Sequence, residues 1–128
     1  MIVLDTHAWI WWAVESSRLS ARARGAIEQA ETLGISAISC WEVAMLVEKG
    51  RLKLDRDVLA FIRQALALPR VQLLALSPEV AVAAARLSPG SPADPADRMI
   101  AASALEADAP VVSRDTRLKG LPGLKTIW

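Results

Sequence analysis

Four acidic side chains from distant parts of the chain follow apolar runs or open predicted helices, in positions that could build one site. Asp5 directly follows the apolar run Ile2–Leu4, and Asp115 follows a second such run late in the chain. Glu42 and Asp97 each stand in the predicted opening turn of a helix. If the apolar runs are neighbouring strands, all four carboxylates meet at one edge of a sheet.

Carboxylates gathered in this way repel one another, and a pair about 4 Å apart costs about 4 kcal/mol at an effective dielectric constant of 20. A fold keeps them ionised only when a cation compensates them; otherwise some of their pKa values rise. Oxygen-only donors suit Mg²⁺ or Mn²⁺, which retain water and commonly meet substrate phosphates. The chemistry indicated is metal-assisted phosphodiester hydrolysis, in which the metal activates water and stabilises the charged transition state.

Each acid also has an ordinary structural interpretation. The segment Ser39–Glu42 fits a capping box, and Asp94 before a proline fits a helix N-cap. Asp97 could complement a helix dipole, and Asp115 could open a turn. Asp5 is the hardest to explain in this way, because an acid that ends a buried strand is costly unless it is paired or bound to metal.

The elements that must position these acids are short apolar strands alternating with helices. That pattern predicts an α/β fold with a central, mainly parallel sheet flanked by helices, and ligands of such sheets bind outside the carboxyl ends of the strands. The predicted strands are Ile2–Leu4, Leu33–Ser36, Val71–Leu76, Val111–Ser113 and the edge strand Lys125–Ile127. The predicted helices begin at Trp9, Ala21, Trp41, Asp55 or Asp57, Ser77 and Asp94, and end near Val14, Ala30, Lys49, Leu68, Leu87 and Ala107.

Composition bounds the function. The 128 residues are 53% apolar and 23% charged, which predicts a single ordered domain spanning residues 1–128. A net charge of +1 gives no broad basic field, and one Cys with one His cannot build the usual zinc sites. Apolar stretches are too short to span a membrane and the N-terminus does not resemble a signal peptide, so we expect a cytoplasmic protein without membrane contact.

Four blocks of sequence resemble a known family when they are taken together. They are Asp5–Trp12 (DTHAWIWW), Ser36–Ala44 (SAISCWEVA), Asp94–Ala102 (DPADRMIAA) and Val111–Asp115 (VVSRD). In this order they are similar to the PIN-domain toxins of the VapC type, and the resemblance covers essentially the whole chain. The sequence departs from the family pattern at Pro92-Ala93 and at Ala96, where relatives commonly carry polar, basic or aromatic residues.

The resemblance implies a single PIN-like domain with an acidic site at the C-terminal edge of the strands. It implies a Mg²⁺- or Mn²⁺-dependent endoribonuclease, the toxin of a type II toxin–antitoxin pair, inhibited by a VapB-like antitoxin; a homodimer is expected as well. By motif position, the catalytic and metal-binding residues would be Asp5, Glu42, Asp97 and Asp115, with Thr6, Ser113 and Asp94 supporting them. Asp5, Asp97 and Asp115 would hold the metal directly or through water, and Glu42 would complete the site or orient the attacking water.

Basic residues next in sequence to these acids are candidates for contact with RNA phosphates: Arg98, Arg114, Arg117 and Lys119. The competing interpretation is that Arg98 and Arg114 simply pair with neighbouring carboxylates. His7 is expected to be a hydrogen-bonded structural residue rather than a general base. Trp9 and Trp12 share a helical face and Trp11 points elsewhere, so we expect the tryptophans to divide between the core and contact with an antitoxin or a second copy.

Three other functions remain open. An aspartyl-nucleophile phosphatase would have a second acid two residues after Asp5, where His7 stands. A receiver-like signalling domain would have an acid beside Asp5 and a lysine after a late strand, and Ser113 is followed by Arg114. The third is a PIN fold that binds RNA or protein without cleaving it, and only the presence of all four acids argues against it.

Overall fold

The computed structural model describes residues 1–128 as a five-stranded sheet with helices on both faces. The strands are β1 (Ile2–Leu4), β2 (Leu33–Ser36), β3 (Val71–Leu74), β4 (Val111–Val112) and β5 (Thr126–Ile127). The helices are α1 (Thr6–Val14), α2 (Ala21–Gln29), α3 (Ala37–Glu48), α4 (Val58–Leu66), α5 (Pro78–Ala85) and α6 (Pro95–Glu106), with single 3₁₀ turns at Ser16–Arg18 and Thr116–Leu118.

The sheet is parallel throughout, in the order β3-β2-β1-β4-β5. The predicted parallel sheet is therefore confirmed. From β1 the chain winds outward through β2 to β3, then crosses back to place β4 on the other side of β1. This reversal opens a crevice beyond the carboxyl ends of β1 and β4, which is where open α/β sheets bind their ligands.

Alternate residues of the central strands feed two different cores. Ile2 and Leu4 pack into a large cluster with α1, α2 and α4, whereas Val3 packs into a second cluster beneath α6. Val111 and Val112 divide between the same two clusters in the same way. Burial on both faces explains why these strands are apolar without interruption.

Polar caps determine where most of the helices begin. Ser20, Asp57, Ser77 and Asp94 each accept a hydrogen bond from a backbone amide of the helix they precede, as the sequence predicts. Each therefore satisfies one amide that has no partner within the helix.

Two helices begin earlier than predicted, and both follow their strands without a loop. Asp5 caps α1 and Ser36 caps α3, so α1 starts at Thr6 rather than Trp9 and α3 at Ala37 rather than Trp41. The predicted capping box of Ser39–Glu42 is wrong, because both residues lie inside α3. Ser36 is both the last residue of β2 and the cap of α3, and Asp5 caps α1 directly after β1, so the first turns of both helices lie beside the sheet edge.

None of the helices combines the length and the apolar character that crossing a membrane requires.

The core around β2 gives a stability test with an internal control. Ile35→Ala removes a fully buried side chain from the larger cluster and should lower the free energy of unfolding by about 2–5 kcal/mol. Leu73 pairs with Ile35 across the sheet but is 49% exposed, so Leu73→Ala should change it by only about 0.5 kcal/mol. Urea denaturation of the two variants measures both values, and equal losses would contradict this description of the core.

Candidate active site

The crevice beyond β1 and β4 contains a cavity of about 240 Å³. Three of the four predicted catalytic acids line it: Asp5 after β1, Asp115 after β4, and Asp97 from the first turn of α6. The remaining lining residues are His7, Trp11, Arg114 and Arg117. The structure therefore brings together acids that are 92 and 18 residues apart in the chain, as the sequence analysis predicts.

Asp5 has a structural partner after all. Its Oδ1 accepts a hydrogen bond of 2.8 Å from the Ala8 amide, which makes it the N-cap of α1. Burial nevertheless raises the pKa of the Asp5 carboxyl, although the Ser113 hydroxyl and the Ala8 amide both oppose that rise. Asp5, the acid hardest to explain structurally from the sequence, is therefore a helix cap whose ionised carboxyl still carries an electrostatic cost.

Glu42 is held by hydroxyl groups rather than by a helix cap. The buried Thr6 hydroxyl donates a hydrogen bond to Glu42 Oε1 and lies 2.9 Å from Ser39 Oγ. Burial raises the pKa of Glu42, the hydrogen bond from Thr6 opposes the rise, and the charge of Asp94 adds to it. Glu42 does not line the cavity that holds the other three acids; it lines a separate groove together with Asp94.

Asp97 lies close to three other carboxylates. Burial raises its pKa from the ordinary 3.8 to about 6, and the carboxylates of Asp94, Glu42 and Asp115 contribute to the rise. Asp97 is thus the residue at which the two acidic groups, one around Glu42 and one around Asp115, act together. Asp94 contributes from an exposed position while it caps α6 through the Ala96 amide at 2.8 Å.

Arg117 neutralises the opposite side of the cavity. Its Nη2 donates to Asp115 Oδ2 at 2.8 Å and to Asp97 Oδ2 at 3.2 Å, and its Nε donates to Asp115 Oδ1 at 3.0 Å. This forked contact holds the pKa of Asp115 below its ordinary value. Ser113 fixes the same turn, because its hydroxyl accepts a hydrogen bond of 3.0 Å from the Asp115 amide.

The other basic candidates divide between structure and surface. Arg98 donates to the carbonyls of Ala84 and Pro92, both at 3.1 Å, so its predicted contact with RNA is not supported. Lys119 is exposed and does not line the cavity. Arg114 lines it without an ion pair to a neighbouring carboxylate.

His7 and Trp11 line the cavity, although the sequence predicts neither of them as a site residue. His7 is exposed and lines the cavity, so the expectation of a hydrogen-bonded structural histidine is wrong. Trp11 is 6% exposed, and the guanidinium groups of Arg18 and Arg114 lie over its ring, 4.7 and 5.0 Å from the ring centroid. The sequence indicates only that Trp11 lies on a different helix face from Trp9 and Trp12. It does not predict that arginines from two separate segments lie over the Trp11 ring.

The donor set fits a small divalent cation that keeps part of its water. No group of three or more acidic, His or Cys side chains converges closely enough to enclose a metal by itself. However, one nitrogen atom of Arg117 contacts an oxygen of Asp97 and an oxygen of Asp115, so a single positive centre can reach both carboxylates. Two carboxylates plus water and substrate oxygens match the coordination that Mg²⁺ prefers.

The chain matches a known protein family along almost its whole length. The PIN domain family model matches residues 2–124. The chain is 39% identical over 129 aligned positions to Ribonuclease VapC22 of Mycobacterium tuberculosis, covering 99% of this chain and 98% of that protein.

Solved structures show the same fold at lower identity. VapBC2 from Rickettsia felis, crystallised with a DNA fragment from its promoter, aligns with a TM-score of 0.73 at 20% identity over 98% of this chain and 97% of its own. A toxin–antitoxin complex from Klebsiella pneumoniae aligns with a TM-score of 0.66 at 19% identity, covering 97% and 95% of the two chains. The family model and the full-length relative show that this chain belongs to the PIN-domain family and is a homologue of the VapC proteins.

Proposed function

We propose that this protein is a Mg²⁺- or Mn²⁺-dependent endoribonuclease that acts on RNA in the cytoplasm as the toxin of a type II toxin–antitoxin pair. The observation that carries the proposal is the convergence of Asp5, Asp97 and Asp115 on one cavity at the sheet crevice. The full-length likeness to a ribonuclease supports the choice of RNA as substrate.

The acids divide the work by position. Asp5, Asp97 and Asp115 would hold the metal, directly or through water, and Glu42, oriented by Thr6, would complete the site. When bound, the metal supplies an activated water and stabilises charge on the phosphodiester in the transition state. Ser113 holds the Asp115 turn in place, and Asp94 keeps α6 and therefore Asp97 at the edge of the sheet.

Positive side chains at the cavity meet the substrate. Arg117 is 58% exposed on its side chain and Arg114 lines the same cavity, so both guanidinium groups are within reach of phosphates beside the scissile bond. Lys119 is exposed one residue after the short 3₁₀ turn and contributes from farther away. This supply of positive charge is local, in keeping with a net charge of only +1.

A VapB-like antitoxin is the proposed protein partner, because two structurally similar proteins were crystallised in toxin–antitoxin complexes. A homodimer is proposed as well. The exposed apolar side chains, among them Trp41 at 54% and Val82 at 47%, give this chain surface for such contacts.

Among the alternatives, membership of the PIN-domain family argues against a receiver-like signalling domain. A PIN fold that binds RNA or protein without cleaving it is the competing function, and its outcome in a cleavage assay differs from that of a nuclease.

The function can be tested by incubating the purified chain with structured RNAs in Mg²⁺ or Mn²⁺ and in EDTA. Cleavage should require the metal, and Asp5→Asn and Asp97→Asn should each reduce the rate on the order of 100-fold or more, because each removes charge that the metal and the transition state need. Asp55→Asn is the matched control, since Asp55 is exposed and pairs only with Arg56. Cleavage that persists in EDTA, or full activity of either site variant, would reject the assignment.

The raised pKa of Asp97 predicts how stability depends on pH in the metal-free protein. The folded state holds the Asp97 proton more tightly than the unfolded chain, so the contribution is fully present below the unfolded value of 3.8 and is lost as the pH rises through about 6. Between pH 4 and pH 7.5 in EDTA, this carboxyl should cost about 2–3 kcal/mol of unfolding free energy.

Asp97→Asn should remove that dependence and be the more stable protein at pH 7.5 while it loses activity. Urea denaturation at both pH values compares the variant with wild type, and Asp55→Asn again serves as the control. Parallel pH profiles for wild type and Asp97→Asn would contradict the raised pKa.

A further inference from the structure

A second groove opens beside the acidic cavity and shares one wall with it. It has a volume of about 420 Å³ and runs between α1, the turn after it and the end of α3. The residues common to the groove and the cavity are His7, Trp11 and Arg114, so a chain that lies in one continues into the other. The remaining lining residues are Ile10, Val14, Glu15, Arg18, Leu46, Arg51 and Leu52.

The groove carries three guanidinium groups that form neither an ion pair nor a hydrogen bond within the protein. Arg18, Arg51 and Arg114 are exposed, and none forms an ion pair. The arginines elsewhere in the fold that do have partners, such as Arg98 and Arg117, donate to carbonyls or carboxylates. Only one acid, Glu15, lines the groove, so its walls have a net positive charge.

Trp11 holds two of these arginines in position. Arg18 and Arg114 lie over its ring, and Trp128 packs against it with ring centroids 5.8 Å apart. A guanidinium held over an aromatic ring loses rotamer freedom but keeps its N–H donors for an anion. The arrangement therefore resembles a prepared anion site rather than a solvated charged surface.

We propose that this groove binds the sugar–phosphate backbone of single-stranded RNA on one side of the scissile phosphate, with Arg18, Arg51 and Arg114 contacting successive phosphates. The inference rests on the proposed ribonuclease function and assigns a substrate-binding role to Arg18 and Arg51. Continuity through Arg114 favours a substrate strand over a separate ligand, because a strand whose phosphate lies in the acidic cavity can pass this residue into the groove. Ile10, Val14, Leu46 and Leu52 give the bases apolar contact along the same groove.

The salt dependence of binding tests this role directly. Each phosphate contact on a single strand contributes about 0.7 to the slope of log K against log salt concentration. Binding of a fluorescein-labelled single-stranded RNA is measured by anisotropy across a KCl series in EDTA. Arg51→Gln should flatten the slope by about 0.7, and the double variant Arg18→Gln, Arg51→Gln by about 1.4. Arg22→Gln, an exposed arginine on α2 outside the groove, should leave it unchanged.

Cleavage of the same RNA in Mn²⁺ separates this inference from the function on which it rests. Arg51 has no side-chain partner to lose, so Arg51→Gln should fold normally and raise KM with little change in kcat. If wild type cleaves while Arg51→Gln and the double variant keep the wild-type slope, the groove assignment is wrong and the ribonuclease function stands. If wild type neither binds nor cleaves the RNA, both are wrong. Binding of a fluorescein-labelled acidic peptide is measured in the same way. If the double variant loses affinity for the peptide but binds RNA as wild type does, the groove is a protein-docking site and the inference is overturned.

Discussion

The structure depends on one electrostatic constraint, which is that several carboxylates must remain side by side at the edge where β1 and β4 end. The parallel sheet concentrates them there, because the chain reverses its winding direction between these two strands and each strand delivers its next residue to the same crevice. The helices that leave that edge offer the first compensation. Asp5, Asp94 and Asp115 each accept a hydrogen bond from a backbone amide at the start of a helix or helical turn. The acids of the site are therefore also the residues that define where those helices begin.

The negative charges of these acids are not compensated equally, and their pKa values differ as a result. Asp115 receives the fork of Arg117 and its pKa is lowered, whereas Asp97 sits between two acidic groups and its pKa is raised to about 6. Glu42 relies on the hydroxyl of Thr6, which is itself buried against Ser39. A domain with many fully buried alanines and valines can tolerate such a site because stability comes from the two cores on either side of the sheet. Asp5, Glu42 and Asp97, whose pKa values burial raises, lower that stability when they are ionised.

The sequence was sufficient to predict the sheet, the carboxyl-edge site and most helix caps, because apolar strands and Ser or Asp before a helix have strong local signatures. It was insufficient where one residue serves two elements. Asp5 caps α1 directly after β1, and Ser36 both ends β2 and caps α3, so local sequence pattern predicts starts of α1 and α3 that are too late. Side-chain partners across the fold were also beyond local pattern. The contact of Arg117 with Asp97 and the position of Arg18 over Trp11 cannot be deduced from sequence spacing, because each joins a helix to a different turn of the fold.

Arg98 illustrates how such a contact affects the interpretation of mutagenesis. Its guanidinium joins the last carbonyls of α5 to Pro92 in the loop that precedes α6, and it stands next in sequence to Asp97. Arg98 therefore links the C-terminal end of α5 to the loop before α6. Asp94, the N-cap of α6, lies only two residues beyond Pro92, so these hydrogen bonds hold the segment from which the helix that carries Asp97 begins. A substitution at Arg98 would therefore act on the backbone next to Asp97, and a change in activity would not by itself indicate contact with a substrate.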